Sequence, residues 1–223
     1  LPISDAMGWG RDGRMDVAST VDTLKSGRVE LNRLVESSDF LRSYDVGFNV
    51  TRRNKDRGYI AHYLDLKNGA PLSLNNVPHG IASFDYVGLG DMVSFNAREL
   101  LGDYLVKRYM PSENDLMKNY GVEENVRTYY AKANLDMDVT DTVRLRGNVG
   151  VQYIHTEQSS DGPTVKKDAS GQWGIAGGQT VGSSYGDILP SMNLSLDFGD
   201  GLLLRLAAAK TLMRGPIESM GAY

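Results

Sequence analysis

The chain has 223 residues, 41% of them apolar and 23% charged, enough for a sizeable core; with no cysteine it excludes a disulfide scaffold, a thiolate zinc site and a cysteine nucleophile. A formal net charge of −4 gives no electrostatic reason to expect nucleic acid. Mean hydropathy is −0.34 and no apolar run approaches the ~18 residues of a membrane helix, which leaves a membrane β-barrel open because its strands look only half apolar. The chain begins at Leu1 without a signal peptide and stops at Tyr223 soon after a strand-like run, so it reads as a piece of a longer protein.

Period-2 alternation predicts six strands. A weak first member runs through Val29 and Leu31, with Arg28, Glu30 and Asn32 between them. The second sets Tyr44, Val46, Phe48 and Val50 against Asp45, Gly47, Asn49 and Thr51. The third carries Tyr129, Ala131, Ala133, Leu135 and Met137 opposite Thr128, Tyr130, Lys132, Asn134 and Asp136. Val143 to Tyr153 form the fourth, whose other face holds Arg144, Arg146 and Asn148. The fifth runs from Asp187 to Phe198, and the sixth through Leu202, Leu204, Leu206 and Ala208. Pro190 is expected at the entry of the fifth strand or at a bulge within it, because proline has no N–H for the ladder.

Tight Asp/Gly/Ser/Thr turns join these strands in pairs, near Glu36–Asp39, Val139–Thr142 and Gly199–Gly201. Between pairs the connections are long, about Arg57 to Gly121 and about Ser159 to Ser184. Short turns on one rim and long loops on the other is the pattern of an outer-membrane barrel. Several strands alternate over about 12–16 residues, beyond the ~9–11 that cross a membrane. Arg144, Arg146, Asn148, Asp187, Asn193 and Arg205, with Asp197, form a polar face suited to a wide wet lumen or a polar plug. The opposite apolar face suits lipid, with Tyr44 and Tyr153 placed for an aromatic girdle.

The runs Glu124-Asn125-Val126, Tyr129 to Asp136, Val143 to Thr156, Tyr185-Gly186-Asp187-Ile188-Leu189-Pro190-Ser191-Met192-Asn193-Leu194 and Leu204 to Arg214 come in an order that resembles the barrel of TonB-dependent outer-membrane receptors. Leu41 to Arg53 fits the same family, in the branch common in Xanthomonas- and Caulobacter-like bacteria. The resemblance implies an all-β fold: an antiparallel up-and-down meander of about six long strands, part of a transmembrane barrel of about 22 strands, with two long extracellular loops. It also implies an N-terminal plug domain and a TonB box, neither of them in residues 1–223. Arg214-Gly215-Pro216 departs from the family's Arg-Pro after the last strand, which unsettles the register there. The implied partners are outer-membrane lipid, the rest of the barrel and plug, the TonB complex through the absent N-terminal region, and a small-molecule ligand of unknown identity; no cofactor is implied.

The first long loop carries Tyr59, His62, Tyr63, Phe84 and Tyr86, and the second carries Trp173. Aromatic faces on outer loops would stack on a sugar or an aromatic iron chelate. Alternatively the first loop's aromatics form its own small core, and the glycine-rich second loop is a flexible lid or a variable cover. Ala97 to Leu105 has helical spacing. Asp161 and Asp168 lack the spacing of a calcium loop, so no metal site is assigned. No catalytic motif occurs, and His155 has no partner that the sequence identifies, so an enzyme is not expected. The leading expectation is active import through the outer membrane of a scarce carbohydrate or iron chelate. A passive porin-like or adhesive barrel, and a soluble extracellular β-sheet binding module, are the alternatives.

Overall fold

Side chains that alternate between apolar and polar fix the backbone as extended strand, and the chain is 68% strand and 6% helix. The structure, a computed structural model, describes residues 2–5 and 7–215. Pro216 and the Met220–Tyr223 end lie outside the described residues. In order the elements are β1 (Pro2–Ile3), β2 (Gly13–Leu34), β3 (Leu41–Leu66), β4 (Leu72–Ser73), β5 (Gly80–Ser83), β6 (Asp91–Ser94), α1 (Ala97–Leu100), β7 (Leu105–Tyr109), α2 (Glu113–Met117), β8 (Tyr120–Thr140), β9 (Val143–Lys167), β10 (Trp173–Asp197) and β11 (Leu203–Ala209). Single 3-10 turns cover Leu74–Asn76 and Asp85–Val87.

The main antiparallel sheet has the order β11-β10-β9-β8-β3-β2, the expected meander, with β7 added against the last residues of β3. The three tight turns occur where turn chemistry places them. Val35 N–H donates to the Arg42 carbonyl at 3.0 Å across the first, and Val143 N–H donates to Thr140 Oγ1 at 3.1 Å in the second. Asp200 takes a φ of 50° in the third, where Phe198 N–H donates to the Leu202 carbonyl at 3.0 Å.

Four expectations need correction. The first strand begins at Gly13, far ahead of Val29, and β3 continues to Leu66, so the first connection starts at residue 67 and not at Arg57. The second long loop does not exist: β9 runs to Lys167 and β10 starts at Trp173, leaving a tight turn closed by Asp168 N–H on the Gln172 carbonyl at 2.8 Å. Pro190 is inside β10 and not at its entry. It needs no N–H there, because β11 ends at Ala209, the partner of Ser191, and the Pro190 carbonyl still accepts from Lys210 N–H at 3.0 Å. Finally, only Ala97–Leu100 is helical, since Leu105 already enters β7.

The chain divides into two units, one of residues 1–19, 57–119 and 163–177, the other of 20–56, 120–162 and 178–223. The first has a small aliphatic core of Leu64, Leu66, Val77, Leu100 and Leu105. Its helix α2, with Asp115 and Leu116 buried, is closed at its start by a reciprocal cap: Ser112 N–H donates to Asp115 Oδ2 at 3.0 Å while Asp115 N–H donates to Ser112 Oγ at 3.3 Å. The second unit is sheet. Between Gly121↔Asp161 and Thr140↔Val143 the β8–β9 ladder runs with one irregularity, between Asp138 and Thr140.

Candidate functional site

Register decides what each face of the second unit presents. Met137 pairs with Leu145, Ala133 with Val149, Ala131 with Val151 and Tyr129 with Tyr153, while Asp136 opposes Arg146 and Asn134 opposes Asn148 on the other face. In the β10–β11 ladder Leu194 opposes Leu206 and Ser195 opposes Arg205, with Asn193 facing Ala207. The polar face is cross-linked by charge. Arg144 donates to Asp136 at 2.7 and 3.0 Å, Arg146 lies 3.6 Å from the same carboxylate, and Lys210 lies 3.9 Å from Asp187. Asp45, 4% exposed, accepts from Asn32 and from Asn134 at 3.0 Å and lies 2.9 Å from Lys132. Tyr130 lies across Gly47, where a Cβ would overlap its ring, and its hydroxyl donates to Glu30, beside Arg28.

On β3 burial is inverted relative to a soluble sheet, whereas on β9 Arg144 and Arg146 of the polar face are exposed too. Ser43, Asp45 and Lys55 of β3 are buried, while Val46 on its other face is 40% exposed. Val149, Val151, Leu204 and Leu206 are exposed as well. This apolar face has an end. Phe48, Tyr129 and Tyr153 form an aromatic row, with centroids 4.9 Å and 6.4 Å apart. On the same face, further along the strands, come Arg52 paired with Glu123 at 2.9 Å and Arg127 paired with Glu157 at 3.3 Å. Tyr153 thus joins an aromatic row, and Tyr44 stands four residues from Phe48 on the same side of β3.

The six candidate ligand residues fall in different places. Tyr59, His62 and Tyr63 belong to β3 and not to a loop, and Trp173 opens β10 and is not part of a lid. Only Phe84 and Tyr86 are in the inserted segment, with centroids 6.1 Å apart. None of the six is among the residues of the aliphatic core, against which Tyr104 of the inserted segment packs. His62 pairs with Tyr109 of β7, and its Nδ1 is buried without a hydrogen-bond partner. Tyr59 has the Lys118 ammonium 4.2 Å from its ring centroid, and Trp173 has Lys167 at 5.1 Å.

Tyr63 is the centre of a cluster the sequence did not reveal. The Arg11 guanidinium lies 4.5 Å from its ring centroid and 5.6 Å from that of Trp9, and Arg108 lies 5.5 Å from Tyr63. The one available signal was the run Gly8-Trp9-Gly10-Arg11, a tryptophan between two glycines. Gly8 and Gly10 take φ of 69° and 71°, a region closed to most side chains. The turn is wound on one carboxylate: Asp5 accepts from the N–H groups of Trp9, Gly10 and Arg11 at 2.8, 2.6 and 3.2 Å. These donors, Trp9 N–H first, hold the Asp5 carboxyl below its ordinary range. A cleft of about 400 Å³ opens here, lined by Met7, Trp9, Arg11 and Arg14 and also by Asp5 and Asp12.

Two other carboxyls outside the long strands are depressed. Burial alone would raise Asp115, but the Ser112 hydroxyl and N–H and then Arg14 at 2.6 Å outweigh it and leave the carboxyl at about 2. Asp168 is lowered by the Ser170 hydroxyl at 2.6 Å and by Gln172 N–H at 3.0 Å. Among the described residues no group of three or more potential metal ligands comes together. His155 does have neighbours, contrary to expectation: Glu157 at 3.3 Å and Ser184 at 3.5 Å. Both approach the same ring nitrogen, Nε2, so the ring cannot relay a proton between them.

Comparison with family models, curated proteins and solved structures finds no match.

Proposed function

We propose that the chain is a wall segment of an outer-membrane β-barrel receptor, of the kind its sequence motifs resemble, which binds a scarce carbohydrate or iron chelate and imports it with energy delivered through TonB. One observation carries the reading: an exposed apolar face that stops at an aromatic row and is succeeded by ion pairs. From Tyr153 to Val143 that face covers a stretch of the length a membrane strand needs, ~9–11 residues. Such a band, bounded by aromatic rings and backed by a polar face, suits a strand with lipid on one side and water on the other. A soluble sheet would bury this surface and expose Asp45.

Strand length supports the same reading. A strand of 25 residues such as β9, at ~3.3 Å per residue and tilted by ~45°, rises roughly 60 Å, twice a hydrocarbon core of ~30 Å. The polar remainder of each strand, beyond the aromatic row, would stand in water. A passive barrel would share the lipid-facing band, so the transport step has its own test: collapsing the proton-motive force abolishes uptake by the receptor and spares passive passage.

The absence of native cysteine makes the band itself testable. Single variants Val149→Cys and Val151→Cys should resist a membrane-impermeant maleimide in intact cells, whereas Arg127→Cys and Glu157→Cys should react. Rapid labelling at residue 149 would overturn the membrane reading.

A further inference from the structure

The cations of the first unit are not equally engaged. Arg108 is bound to Asp65 through both oxygens, at 2.6 and 2.9 Å, and to the Gly10 carbonyl at 2.7 Å. Arg14 is bound to Asp16 at 2.7 Å and to Asp115 at 2.6 Å. Arg11 differs. Among the described residues no carboxylate lies within ion-pair distance of its guanidinium, whose contacts are the faces of Trp9 and Tyr63. A guanidinium held against aromatic rings keeps its N–H donors for another partner, and those donors can take a carboxylate through two parallel hydrogen bonds.

The surroundings are prepared in the same sense. Asp5 and Asp12, the nearest acids in sequence, are spent on backbone: Asp5 on the three N–H groups of the turn, Asp12 on Asp5 N–H at 3.0 Å and Leu66 N–H at 2.8 Å. Both line the same cleft as Arg11, and their hydrogen bonds are to these backbone groups. Trp9, 65% exposed, presents its remaining surface at the same cleft as Arg11. A rigid turn lowers the cost of ordering these groups on binding.

We propose that Arg11, held between Trp9 and Tyr63, is an anion-binding group that takes the carboxylate of a cyclic ligand, the ring of that ligand lying against Trp9. This names the ligand chemistry within the receptor reading and depends on that reading only for the side of the membrane from which the ligand arrives. Two sources share the chemistry, a sugar acid and an aromatic acid.

Galacturonate and benzoate serve as probes, with galactose and benzyl alcohol as neutral counterparts, titrated calorimetrically into the detergent-solubilised protein. At least one acid should bind, ten-fold or more tightly than its neutral counterpart, and which one binds identifies the source. Arg11→Met should weaken that acid at least ten-fold. Arg11→Lys, which keeps the charge but loses the fork, should weaken it several-fold and guards against a folding defect in the first variant. Equal binding of acid and neutral probe, no binding of either acid, or unchanged affinity in a folded variant would overturn the proposal. A protein that binds the acid yet stays in plain buffer without detergent would remove the barrel reading and keep this site. A membrane-inserted protein indifferent to both acids would do the reverse.

Discussion

Tyr130 reaches Glu30 two strands away only because Gly47 between them has no side chain. Gly47→Val would drive the ring off that path, and overpacking of this kind costs about 1–3 kcal/mol. The variant should lower the urea midpoint in detergent, and Tyr130→Ala in the same background should return part of the loss; additive effects would mean the two residues do not couple. Asp115 sets a pH limit on the insertion. Its carboxyl falls from 3.8 to about 2 in the fold, so the stability it contributes is present above pH 3.8 and is lost as pH falls toward 2. Hydrogen exchange of residues 112–119 should therefore quicken across that interval. Asp115→Asn, at about 1–3 kcal/mol for a buried group left partly unpaired, should show the faster exchange already at neutral pH.

At the scale of the strand, lipid contact predicts an asymmetry between neighbours. Val149→Arg places a charge on the apolar band and should cost about 2–4 kcal/mol near its middle, whereas Asn148→Arg on the polar face should assemble almost normally. The fraction of heat-modifiable, folded protein in the outer membrane measures both, and equal losses would remove the assignment of the faces. The same physics explains what the sequence could and could not reveal. Alternation from Tyr129 to Met137 and from Val143 to Tyr153 is plain because only one face there is apolar. Beyond the aromatic row the few apolar residues, such as Val165, Ile175 and Val181, are scattered among glycines and polar residues, so Gly162, Pro163, Gly177 and Gly182 read as loop although they lie in continuous strand. Of the candidate site, Tyr63 was visible as an aromatic, but Arg11 and Arg108 were not, because the fold that brings them to its ring leaves no spacing in the sequence.

For the whole molecule the edges matter. β2 and β11 end the sheet, and both carry exposed apolar side chains, Val29 and Leu31 on one and Leu204 and Leu206 on the other. Unpaired edges invite other chains. Residues 1–223 expressed alone should aggregate in plain buffer and become tractable only in detergent. A monodisperse monomer without detergent, by light scattering, would count against a larger barrel.

The insertion between β3 and β8 also has a kinetic consequence. Every other neighbour in the meander is joined by a tight turn and can zip from it, whereas closing residues 67–119 costs about 3 kcal/mol more than a two-residue turn. Asn119 offsets that cost at one point: its side chain accepts from Tyr59 N–H at 2.7 Å and donates to the Tyr59 carbonyl at 3.1 Å, as a missing strand residue would. An insertion that folds early and docks through Asn119 brings the start of β8 to β3 and converts a long search into a local one. Asn119→Ala should then slow refolding into detergent by most of the factor by which it lowers equilibrium stability and leave unfolding nearly unchanged, placing this clasp in the transition state and making the segment that interrupts the sheet the one that sets its register.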